Sequence, residues 1–130
     1  SQIEAPPRIG GVWQAAAAPS MPLAPPCVDL PSQVDAFELT QSGVYVEVSL
    51  RDPSRTRLDA RLQGIRLSGW AARLPLLGAA RLACPDSPLE LAADLVSDGH
   101  ASQLVGTLWA GGCAACAPVT FRAERIAGGR

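Results

Sequence analysis

The sequence predicts an all-β domain, an antiparallel up-and-down barrel of about eight short strands closed around one core. Three observations carry this. Apolar and polar residues alternate with period two from Ala36 to Ile126. Turn residues interrupt the alternation at short, regular intervals. No segment repeats apolar residues with helical period over ten or more positions.

The elements follow in order. Seven of the 12 prolines fall within residues 1–31, beside the run Ala15 to Ala18. Proline fixes φ and removes a backbone donor, so this stretch is poor helix and poor central strand. It reads as an extended tether holding one short first strand, Val12 to Ala15, with a loop running on to Pro31. The expected division is a tether over 1–31 and a barrel domain over 32–130. From Ala36, Phe37 and Leu39 alternate with Glu38 and Thr40, and Gln41, Ser42 and Gly43 form a turn. Val44, Val46, Val48 and Leu50 then oppose Tyr45, Glu47 and Ser49, the cleanest strand of the chain. Arg51 to Ser54 make the next turn. Leu58, Ala60 and Leu62 follow, against Arg57, Asp59 and Arg61.

At Gln63 and Gly64 the phase slips by one residue, which signals either a β-bulge or a tight turn. Past the slip, Ile65 and Leu67 are expected on the apolar face. Further runs cover Ala71 to Leu76, Ala79 to Cys84 and Leu89 to Val96. Asp98 and Gly99 supply a hairpin turn into Gln103 to Trp109. The last strand spans Pro118 to Ile126.

Composition bounds function. A chain of 130 residues suits one domain with a sizeable core. The formal net charge is -1, so no basic surface invites nucleic acid. All 11 positive residues are arginine, which with abundant alanine suggests a GC-rich bacterial genome. No run approaches the ~18 apolar residues that a membrane-spanning helix needs. Catalytic equipment is sparse: His100 is the single histidine and stands beside a hairpin turn, and there is no lysine. Glu38, Glu47, Asp59, Glu90 and Asp94 alternate onto the polar face, as solvated carboxylates do. No catalytic residue, metal site or cofactor is therefore expected.

Four cysteines, Cys27, Cys84, Cys113 and Cys116, favour structural disulfides in an oxidising compartment over a zinc site or a redox pair. Cys113 and Cys116 sit between strands and lack the helix N-terminus that lowers a redox thiol's pKa. The expected pairing is Cys113 with Cys116 and Cys27 with Cys84. The start at Ser1 implies a removed leader.

Gly11, Val12 and Trp13, opening the first strand, resemble the G-x-W entry of the lipocalin-like (calycin) barrels. That resemblance implies a tryptophan closing the barrel base, and carriage of a small apolar ligand above it. The proline-rich excursion after Trp13 and the lack of a long helix depart from the family pattern. The stretch Ser1 to Pro7 is similar to the segment that follows the lipidated cysteine of bacterial lipoproteins, which implies a lipid anchor upstream of Ser1. Trp70 and Trp109 fall in phase with polar neighbours, which projects both outward, where tryptophan favours protein interfaces; a further phase slip would instead bury both. Arg57, Arg61, Arg66 and Arg73 are expected near one another on the outer face. The function expected is an exported, non-catalytic module of the periplasm or outer membrane, binding a protein partner. Binding is expected through Trp13, Trp70, Trp109, Arg61 and Arg66. Carriage of an apolar ligand and a CxxC redox or zinc role are the alternatives.

Overall fold

A computed structural model describes residues 5–17, 24–28, 34–52, 55–72, 83–97 and 102–128. Eight strands follow one another: β1 (Gly11–Ala17), β2 (Ala36–Ser42), β3 (Tyr45–Leu50), β4 (Arg57–Gln63), β5 (Arg66–Ala71), β6 (Leu89–Ser97), β7 (Ser102–Ala110) and β8 (Val119–Gly128). Each pairs antiparallel with its sequence neighbours, and β8 returns to β1, giving a closed up-and-down barrel. Closure leaves no unpaired edge. The first strand is a stave of this barrel, set between β2 and β8, and runs two residues beyond Ala15 to Ala17.

The period-two pattern maps directly onto inside and outside. Leu58, Ala60 and Leu62 of β4 are buried while Arg57, Asp59, Arg61 and Gln63 are exposed. The same holds for Val46, Val48 and Leu50 of β3. Every strand contributes to a single core, and Phe37 meets Phe121 edge to face across it at 6.0 Å between ring centroids.

Two glycine turns join strands at one end. Gly43 and Val44 link Ser42 to Tyr45, and Gly64 and Ile65 link Gln63 to Arg66. Both glycines have φ near +60° (63° and 61°), the left-handed conformation such turns require. This resolves the phase slip as a hairpin turn and corrects the expectation for Ile65, which is 57% exposed at the turn and not on the inner face. Ser97 pairs with Ser102 at the same end. The Asp98–Gly99 turn and His100 between them lie outside the described residues, as do residues 73–82 of the runs expected after Ala71. Ala83 and Cys84, at the close of the second run, belong to no strand.

At the opposite end lie the described parts of the other connections, residues 24–28, 34–35, 51–52, 55–56, 72, 83–88 and 111–118. Cys27 bonds Cys116 and Cys84 bonds Cys113. This corrects the expected pairing. The residues of the CxxC run along the β7–β8 connection, and its two thiols serve different neighbouring loops. Cys116 turns inward to meet Cys27, both buried, and Cys113 meets Cys84 at a Cα separation of 5.9 Å. The Cys27 loop is further held by a parallel bridge between Pro26 and Ala117, through Cys27 N–H to Ala117 O and Ala117 N–H to Pro25 O, each 2.8 Å. Val28 and Val34 of the first long connection join the core beside the buried cystine.

Candidate functional site

The base of the barrel is built from the segment preceding β1. Trp13 and Ile9 are fully buried, and the Trp13 indole N–H donates to Ile9 O at 2.9 Å. The indole donor is thereby satisfied within the core, as a buried tryptophan requires. Gln41 ties the segment down: its side-chain oxygen accepts from Ile9 N–H at 2.8 Å, and its amide donates to Pro7 O at 2.8 Å. Arg125 of β8 closes over the Trp13 ring at 5.0 Å and donates to Arg8 O at 2.7 Å. Trp13 is thus a structural plug, sealed from solvent on both sides.

Above the plug the interior is occupied by side chains from all eight strands. Recesses lie on the outer surface and over the loops. One, of about 680 Å³, is a polar cleft bordered by Glu38, Glu47, Arg51, Asp52, Arg55 and Arg57. Beside it sits a feature that sequence reasoning missed. Asp52 is buried, and its carboxylate accepts from both the backbone N–H and the hydroxyl of Thr56, each at 2.7 Å. An aspartate in a polar turn normally reads as solvated. Its position four residues before a threonine is the only sequence trace of this internal cap.

Trp70 and Trp109 both project from the outer face, and cross-strand pairing orders their surroundings. Glu47 faces Asp59, Asp59 faces Trp70, Trp70 faces Glu90, and Glu90 faces Trp109. The two tryptophans are therefore two strands apart, roughly 10 Å at normal strand spacing, with a carboxylate between them. Trp70 is 50% exposed, whereas Trp109 is half-buried and leans on a recess of about 250 Å³ against both cystines. A shallow cleft of about 570 Å³ borders Trp70, with Tyr45, Asp59, Arg61 and Glu90 around it and Ser68 and Gly69 at its floor.

Arg57 and Arg61 flank Asp59 on the outer face of β4, and Arg66 lies diagonally across from Arg61 on β5, so these arginines are neighbours interleaved with acids and aromatics. Arg66 holds Asp94 through two hydrogen bonds of 2.6 and 3.2 Å, Arg61 stacks over Tyr45 at 5.4 Å, and Arg57 approaches Glu47 at 3.9 Å. Each charge is engaged by a neighbour on the next strand, and Arg73 lies outside the described residues. The structure thus brings Trp70, Trp109 and Arg61 onto one surface and leaves Trp13 buried on its own. Arg66 lies on the same sheet face but is committed to Asp94. Among the described residues, no three histidine, cysteine, aspartate or glutamate side chains gather as a metal site would need.

No protein-family model matches the chain, and neither the curated proteins nor the solved structures provide a match.

Proposed function

We propose that the protein is a non-catalytic module of the cell envelope, an accessory or structural subunit that docks another protein on the outer surface of its barrel. The observation that carries this reading is the distribution of space. Apolar side chains of every strand form one buried core inside the barrel, while the recesses described on the outer surface are bordered by polar and aromatic side chains. A ligand carrier needs inner room; a barrel of eight strands is either filled by its own side chains or holds one small ligand, and the large apolar residues directed inward here support the first. The two cystines support an oxidising, exported setting, in which such bonds persist.

A lipocalin-like carrier is the second reading, favoured by Trp13 standing as a plug at the base of the barrel. Purification from native membranes in mild detergent separates the two. The docking reading expects a protein in stoichiometric amount and no apolar small molecule in the solvent extract. An extracted lipid-like molecule at one per chain, without a protein, contradicts it.

A further inference from the structure

Among the described residues, two arginines lie over aromatic rings. Arg125 covers Trp13 at 5.0 Å, and Arg61 covers Tyr45 at 5.4 Å on the outer face. Trp70, on the same face and 50% exposed, has no such cation among the described residues. Its surroundings are nevertheless those that a cation would seek. Asp59 and Glu90 flank it in register on the two adjacent strands, and neither forms an ion pair among the described residues. The described arginines nearby have other neighbours: Arg61, which lines the same cleft, lies over Tyr45, Arg66 holds Asp94, and Arg57 stands 3.9 Å from Glu47. Ser68 and Gly69, both small, line the cleft beside the indole.

We propose that Trp70, Asp59 and Glu90 form a receptor for an arginine or lysine side chain, presented by a basic segment of a partner protein lying across β4–β6. This rests on the docking reading above and names the chemistry of the partner. The ring face attracts a cation, and the flanking carboxylates supply charge complementarity that a neutral partner does not exploit. Half-buried Trp109, on the far side of Glu90, extends the surface with apolar area that a segment longer than one residue would cover.

The test follows the three tryptophan indole N–H signals by NMR while the intact protein is titrated with end-capped tetra-arginine. Tetraserine and cellotetraose, a neutral glycan, are the controls. Expected is a saturable shift of the Trp70 indole and of β4–β6 amides with tetra-arginine alone. Affinity should weaken roughly tenfold, at unchanged melting temperature, in the Asp59→Asn/Glu90→Gln double variant. Three results overturn the proposal: no shift at Trp70, an equal affinity in the double variant, or an equal shift with cellotetraose or tetraserine. Photo-crosslinking in native envelopes separates this failure from failure of the docking reading. Crosslinks to a protein from another face would sink only the basic-segment receptor, whereas no protein crosslink from any face would sink both.

Discussion

Arg125 on the last strand lies over the ring of Trp13 on the first, 5.0 Å from its centroid, and closes the barrel where its two ends meet. The ladder shifts register between Val12 and Trp13 at this seam. A bulge bends the strand that carries it and re-aims a side chain, and here the extra residue is Ile126 of β8, next to Arg125, while Trp13 follows the regular alternation of β1 into the core. Arg125 adds a hydrogen bond to Arg8 O, so one side chain fastens both the plug and the segment that carries it.

Trp13→Ala should therefore cost about 3–5 kcal/mol, the range for deleting a large buried aromatic. Arg125→Ala removes a cation–π contact and one hydrogen bond while the indole stays in place, and should cost about 1–2 kcal/mol. Urea denaturation of the two variants checks both the size and the order.

Non-reducing peptide mapping should recover Cys27 linked to Cys116 and Cys84 linked to Cys113. The sequence separations are 89 and 29 residues. On the chain-entropy model, paired Cys→Ser variants should lose about 4.5 and about 3.5 kcal/mol respectively. The loops overlap, so the double deletion should cost less than the sum.

Gly106 is a point of close approach between β6 and β7. A Cβ there would stand 2.6 Å from Ala93 Cβ and 2.7 Å from Ala93 Cα, where the obstacle is a neighbouring strand and not a mobile side-chain end. Gly106→Ala should destabilise the barrel by about 1–3 kcal/mol, read from thermal unfolding. Gly43→Ala has open space but a φ of 63°, so only backbone strain opposes it, about 1 kcal/mol.

Asp52→Ala leaves the Thr56 N–H and hydroxyl without their buried acceptor. The expected cost is about 1–3 kcal/mol. Asp52→Asn, which keeps one acceptor oxygen, should recover part of it. Hydrogen exchange at the Thr56 amide reports the effect locally, and should accelerate most in the alanine variant.

The strands were legible because burial on one face writes itself into alternation: Val46, Val48 and Leu50 announce β3 without any knowledge of their neighbours. Ile65 misled for a local reason. Its apolarity continues the pattern, yet a two-residue turn leaves it no inner face to occupy. Ile9 gives the opposite lesson, a fully buried residue in a stretch whose prolines suggest only a tether. Phase pointed Trp70 and Trp109 outward but left a second slip open, and the uninterrupted register of β5 and β7 decides between the two. The partners that give Trp70 its character were not legible, because Asp59 and Glu90 reach it through cross-strand register. Disulfide connectivity likewise depends on which loops meet at one end of the barrel. Adjacent numbering in the CxxC points to the wrong bond.

The account turns on the outer surface of β4–β7 being the face that meets a partner. The most direct measurement places a photo-crosslinking residue singly at Ser68, Ala92 and Thr107 on that face, and at Gln14 and Thr40 elsewhere on the barrel exterior, in cells that make the protein natively. Crosslinks to one protein, concentrated at Ser68, Ala92 and Thr107, are the predicted result. Crosslinks confined to Gln14 and Thr40, or equal yields at all five positions, would contradict it.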